Sequence, residues 1–172
     1  MVNTLIINIV RFVGLVLFQV LVLDNLHIHQ LIHPYIYPLV ILLLPLVTPA
    51  WAVLFLGFAL GITVDIFSDT LGLHAAACVV MAYLRTGVLS ILTPKSGYDS
   101  DIKPKIGHLG FTWFITYSAI LVIVHHLAFF LLEVLSFTSI LLILQKILIN
   151  TALSLALMIL YEFVFFSRRK RR

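Results

Sequence analysis

Charge is what this chain has least of. Asp, Glu, Lys and Arg make up 10% of its 172 residues, where a soluble domain carries about 25%. With 62% of the residues hydrophobic and a mean hydropathy of +1.17, too few polar residues remain to clothe an apolar core in water. A soluble globular fold is excluded, and lipid is the expected solvent for most of the chain. Alternation of apolar and polar residues is also missing, which excludes an outer-membrane barrel and leaves helices to satisfy the backbone in lipid. The single cysteine, Cys78, lies within an apolar run. It rules out an intrachain disulfide and reads as a small buried hydrophobe. No G-x-S-x-G, H-E-x-x-H or Walker-type phosphate loop is present, so neither an enzyme class nor a cofactor is indicated. The first apolar run ends in Asp24-Asn25-Leu26-His27 with no small-x-small cleavage site, and is expected to be a retained helix rather than a signal segment.

What is present is a succession of apolar segments. They predict an all-α integral membrane protein, a single polytopic domain over 1–172 with about six transmembrane helices at 4–23, 35–47, 50–67, 71–92, 109–132 and 138–166, and a basic tail at 167–172. The segment 35–47 is too short to cross a hydrocarbon layer of about 30 Å as a straight helix, and it contains Pro38 and Pro45. A tilted or partly re-entrant segment is an alternative there. Basic residues set the orientation. Lys95, Lys103 and Lys105 and the tail Arg168-Arg169-Lys170-Arg171-Arg172 fall on one side if six crossings are made, and the opposite loops hold no Lys or Arg. Both termini are therefore expected to be cytoplasmic. This sorting accounts for the net charge of +4, so nucleic acid is not an expected partner. The tail is expected to hold the last helix in orientation and to meet anionic membrane lipids.

Ionisable residues inside apolar segments are functional candidates because burying them is costly. Arg11, Arg85 and Glu162 lie near the cytoplasmic side and form a candidate charge clamp, with snorkelling of the arginines to headgroups as the plainer alternative. Asp65, Asp69, His74, His125, His126 and Lys146 lie in the outer half. They form a candidate polar pocket or partner surface, or else hydrated helix ends. Of the adjacent His125 and His126, at most one is expected to point into the bundle. Gly57, Gly61 and Asp65 are spaced by four and share a helix face, followed by Ser68 and Asp69. Such a face accepts a close neighbouring helix, either from a partner or within the chain with Asp65 as a cap. The spacing His27-x-His29-x3-His33 suggests metal only weakly, since a site needs more ligands and a second shell. Contact with headgroups is the expectation, and no metal is assigned.

The run Gly57-Phe58-x2-Gly61-x3-Asp65-x2-Ser68-Asp69-x2-Gly72-x-His74 resembles the signature of the rod shape-determining MreD family. Arg11 with Phe18-Gln19, Pro38 and Pro45, and His125-His126 agree with it along essentially the whole chain. The resemblance implies a non-enzymatic bacterial inner-membrane component of the cell-wall elongation machinery. Its partners would be MreC, the glycosyltransferase RodA, a class B penicillin-binding transpeptidase and, indirectly, MreB. It also implies a fold similar to the six-helix substrate-binding subunits of energy-coupling vitamin transporters. On that reading the glycine face accepts a partner helix and Asp65 sets its register. The His-rich first outer loop and the length of the Lys/Asp loop depart from the family pattern. A vitamin-binding transporter subunit is the alternative, and an intramembrane enzyme using Asp65 with His74 or His126 is a more remote one.

Overall fold

The computed structural model describes residues 2–26, 32–94, 97–98, 102–134 and 140–165. His27 and His29, Lys95 and the tail at 167–172 lie outside the described residues, and the readings that rest on them lie there too. The order of elements is α1 (Val2–Phe18), a π-helical turn (Gln19–Leu23), α2 (Leu39–Leu42), α3 (Ala50–Ser68), α4 (Leu73–Ile91), α5 (Ile106–Leu109), α6 (Phe111–Val134) and α7 (Ile140–Val164), with no strand among the described residues. Five helical stretches are long and apolar enough to cross a membrane: Leu5–Leu23, Ala50–Ser68, Leu73–Ile91, Phe111–Val134 and Ile140–Val164. Their outward faces carry Val10, Trp51, Phe55, Ile66, Tyr83, Leu141 and Leu148, all largely exposed. A large apolar exterior of this kind fits a multi-pass membrane protein.

The second passage corrects the helix expected at 35–47. Only one helical turn forms there, Leu39–Leu42, flanked by non-helical chain. The cause is proline. Four of the chain's six prolines, Pro34, Pro38, Pro45 and Pro49, punctuate this stretch. A proline removes a backbone donor and pushes the residue before it out of the helical region. Pro38 starts the turn, with Ile41 N donating to its carbonyl at 3.0 Å, and Pro45 prevents its extension. The segment nevertheless crosses the bundle. Its start bonds Gln19 near the far end of α1, and Leu43 bonds Arg11, two turns nearer the N-terminus. The described residues thus make five helical passages and one largely irregular passage through the bundle. The irregular one is the most deeply enclosed part of the protein, with Tyr37, Leu39, Ile41 and Leu42 fully buried.

The helices pack in the order α3, α4, α6, α7, with α1 against α2 and α3. Contacts fix their directions. Gly61 lies beside Ala75 and Gly57 beside Ala82, so α3 and α4 are antiparallel. Arg85 reaches Tyr117, and Glu133 reaches Lys146, so α4/α6 and α6/α7 are antiparallel too. Ser68 reaches Asp24, placing the ends of α1 and α3 together. We call that end distal. The basal end then holds Val2, Ala50, Ile91, Ile106 and Val164, so both ends of the described chain are basal.

The α3–α4 seam depends on absent side chains. A Cβ at Gly61 would lie 2.5 Å from both Ala75 N and His74 O, and one at Gly57 would lie 3.1 Å from Ala82 Cβ. The turn beyond the seam uses the left-handed region at Asp69 (φ 57°) and Gly72 (φ 88°), which lets α4 fold straight back along α3. A Gly61→Ala substitution meets backbone, which cannot give way. It is expected to destabilise the protein by about 3 kcal/mol in thermal or denaturant unfolding in mild detergent. At Gly87 an added Cβ would meet nothing within 4 Å. Alanine there is expected to be accepted without loss, and equal behaviour of the two variants would contradict the seam.

Candidate functional site

The buried polar side chains converge on the irregular second passage. A helix satisfies its own backbone, whereas this segment exposes N–H and C=O groups at membrane depth, where water is lacking. Other elements supply the partners. At the distal end Asn150 Oδ1 of α7 accepts from His33 N at 2.6 Å, and Ser154 Oγ accepts from Tyr35 N at 2.8 Å. Gln19, fully buried in the π-helical turn, uses both ends of its amide: Oε1 accepts from Ile36 N at 2.9 Å and Nε2 donates to Pro34 O at 3.3 Å. Toward the basal end, four consecutive carbonyls are received in turn. Tyr117 Oη donates to Leu42 O at 3.1 Å, Arg11 Nη1 to Leu43 O at 3.3 Å, and Arg85 Nη2 to Leu44 O at 2.7 Å and Pro45 O at 3.4 Å. Arg85 Nε also donates to Tyr117 Oη at 2.9 Å. The guanidinium thus takes the place of the helical N–H that Leu44 O lacks, and shares Pro45 O with Thr48 N, which lies at 3.1 Å.

Between these two sets of bonds lies an aromatic and imidazole cluster. Tyr37 Oη is 2.7 Å from His74 Nδ1 on α4 and 2.7 Å from His125 Nε2 on α6. Tyr35 stacks on His126 at 5.5 Å between centroids and meets His74 edge-on at 5.2 Å, while His74 packs on Phe129 at 4.5 Å. All these residues are buried. The proton positions follow from the partners. Val122 O only accepts, so His126 Nδ1, 2.8 Å away, carries the proton and its Nε2 faces Ser154 Oγ at 3.5 Å as an acceptor. Tyr37 has one proton to give. His125 Nδ1 has no hydrogen-bond partner, and a stranded N–H is the rarer orphan. Tyr37 therefore donates to His74 and accepts from His125. The result is a neutral hydrogen-bonded chain that locks α4, α6 and the second passage together.

Several sequence expectations change here. His125 and His126 both point inward, because α6 sits between α4 and α7 and is buried on two faces. The Gly57, Gly61 and Asp65 face does not await a partner helix, since α4 of the same chain fills it. Asp65 caps that neighbour: it accepts from His74 N at 3.0 Å, Ala75 N at 2.9 Å and Thr70 Oγ1 at 2.5 Å. The carboxylate thus satisfies the free N–H groups at the start of α4 and holds the backbone of His74 rather than its ring. Ser68 ties α3 to Asp24 at 2.9 Å. The outer group of Asp69, His74, His126 and Lys146 is not one cluster. Asp69 is exposed at the turn, and Lys146 pairs with Glu133 at 3.1 Å, over the Phe130 ring. Only the histidines enter the buried site.

The clamp of Arg11, Arg85 and Glu162 is also replaced. No ion pair joins the three. Glu162 Oε1 faces Lys105 Nζ at 3.8 Å, and Oε2 accepts from Ile106 N at 3.2 Å. The arginines instead serve backbone carbonyls, because the broken helix beside them offers unpaired acceptors. Burial pushes Lys105 below the ordinary lysine value; Glu162 opposes this, while the positive fields of Arg11 and Lys103 add to it. Among the described residues, no group of three His, Cys, Asp or Glu is arranged to hold a metal.

Sequence reasoning did not single out Tyr35, Tyr37, Tyr117, Asn150 or Ser154 as site residues. Asn150 and Ser154 carried a usable signal, since they are polar residues four apart in an apolar helix. The tyrosines carried none, because their partners come from remote segments.

Comparison with protein-family models, with curated proteins and with solved structures finds no match.

Removing the shared donor is expected to be more damaging than removing the shared hydroxyl. Arg85→Leu strands the Leu44 carbonyl and takes one of two donors from Pro45 O and the donor to Tyr117 Oη, and is expected to cost about 3 kcal/mol. Tyr37→Phe keeps the ring but unlinks two histidines, and is expected to cost about 1–2 kcal/mol. Denaturant unfolding in mild detergent measures both, and an Arg85→Leu protein as stable as the parent would refute the carbonyl-capping role.

Proposed function

We propose that the protein is a non-enzymatic membrane scaffold of the bacterial cell-wall elongation complex, acting as MreD-family proteins do beside MreC, RodA and a class B penicillin-binding transpeptidase, and indirectly with MreB. The observation that carries this reading is the use of the interior polar groups. Gln19, Asn150, Ser154, Tyr117, Arg11 and Arg85 are spent on the chain's own backbone, which favours a rigid body that presents its outer faces. The signature resemblance through Gly57, Gly61, Asp65 and Ser68 supports the family, with those residues acting to hold α3 and α4 in register. Partner contacts then fall on exterior faces, not on the glycine seam.

The charge distribution supports a cytoplasmic basal end in the inner membrane. Among the described residues, Arg11, Arg85, Lys103 and Lys105 lie toward that end with one acid, Glu162, while Asp24, Asp65, Asp69 and Glu133 lie toward the distal end with Lys146. A vitamin-binding transporter subunit is the second reading. It is favoured by one feature, the distal cluster of Tyr35, Tyr37, His74 and His126, where His125 Nδ1 has no hydrogen-bond partner.

Co-purification of the tagged protein from native membranes in mild detergent is expected to bring down MreC, RodA or the transpeptidase. Recovery of an ATPase pair with a coupling membrane subunit would overturn the scaffold and favour the transporter. Orientation is tested separately in a Cys78→Ala background. Cysteine at Lys103 is expected to label only from the cytoplasmic side and cysteine at Asp69 only from the opposite side.

A further inference from the structure

Among the described residues, positive charge is in surplus in the basal half of the bundle. Arg11 is 8% exposed and Arg85 2%, and the Lys105 side chain is 14% exposed. Among the described residues one carboxylate, Glu162, lies near Arg11 and Lys105, and it pairs only with Lys105, at a long 3.8 Å. Arg85 is engaged through Nε and Nη2 with a hydroxyl and two carbonyls. Arg11 is less fully used. Its Nη1 bonds Asn8 Oδ1 at 3.0 Å and Leu43 O at 3.3 Å, but its buried Nε makes no hydrogen bond. Glu162 Oε1 likewise lacks a hydrogen-bond donor. Lys103, exposed, adds a further positive charge beside Lys105.

Uncompensated buried cations are costly, and the cost falls if an anion reaches them. The position selects the anion. Arg11 projects from α1, and Lys105 immediately precedes α5 and is held against Glu162 of α7. Helices α1 and α7 do not pack along each other, yet the field of Arg11 reaches Lys105 and Glu162, so the group lies between two outer helices toward the basal end. Both carry exposed aliphatic residues leading from it toward the middle of the membrane, Val13 and Leu17 on α1 and Leu153 and Leu160 on α7. A ligand with a phosphate head and acyl chains matches both features, as basic recesses between membrane helices do. We propose that Arg11, Lys103 and Lys105 form a binding site for the phosphate of an anionic phospholipid in the leaflet at the basal end, with the acyl chains along the outer faces of α1 and α7. The site is independent of the scaffold reading, and would serve to tie the α5 loop to α1.

The test uses the full chain in nanodiscs of phosphatidylcholine alone or with added phosphatidylglycerol, with thermal unfolding as the readout. Phosphatidylglycerol is expected to raise the melting temperature of the parent protein by about 3 °C or more. Arg11→Gln is expected to lose most of that rise, while Lys146→Gln, at the opposite end, keeps it. Should Arg11→Gln not fold, Lys105→Gln and Lys103→Gln are expected to lose part of the rise each. No rise in the parent protein, or a full rise in all three basal variants, would overturn the site. A rise of the same size from inorganic phosphate in phosphatidylcholine discs would overturn the lipid as its source.

Discussion

Everything in this bundle answers to one constraint: backbone amides and carbonyls at membrane depth must find partners inside the protein. Five passages meet it with helices. The second cannot, because its prolines interrupt any helix through 34–49. The open groups of that passage are met by side chains from α1, the π-helical turn, α4, α6 and α7, which gives Arg11, Gln19, Arg85, Asn150 and Ser154 their place in an otherwise apolar interior. A buried arginine without a carboxylate is hard to explain as an ion pair. As a donor to the carbonyls of Leu44 and Pro45 it has an evident role, since an orphaned carbonyl in lipid costs more than the hydrogen bond alone contributes.

The same constraint ties distant parts together. The second passage is gripped by α1 on one side and α7 on the other, although those helices do not pack along each other. Its register is held at the distal end by Gln19, Asn150 and Ser154 and toward the basal end by Tyr117, Arg11 and Arg85. Between them Tyr37 joins α4 and α6 through two imidazoles. The α3–α4 seam adds rigidity by a different means. There, glycine permits backbone contact and Asp65 terminates it by capping the next helix. Two modes of packing, polar capping and close apposition, therefore meet at His74, whose N–H bonds Asp65 and whose ring bonds Tyr37.

A rigid interior leaves recognition to the periphery. The outward faces of α1 and α7 are apolar and continuous, and the charged groups separate toward the two ends. The proposed scaffold would draw on such an arrangement: an internally bonded body, apolar helical faces for neighbours, and a basal end whose positive charge meets the membrane.

What the amino-acid sequence determined by itself was the solvent and the succession of passages, because hydropathy acts locally and needs no knowledge of contacts. The short break between the helices expected at 50–67 and 71–92 and the close-packing capacity of Gly57 and Gly61 were legible for the same reason. Only the tertiary structure decided what those features face. The glycine face belongs to α4, Glu162 belongs to Lys105, and the arginines belong to carbonyls more than 30 residues away in sequence. Pro38 and Pro45 marked the expected helix at 35–47 as short and interrupted, but not how far it would unwind or which side chains would bond its open backbone. That choice depends on packing order: α6 is enclosed by neighbours on two sides, so both His125 and His126 are buried, and no helical periodicity in a single chain encodes how many neighbours a helix will have.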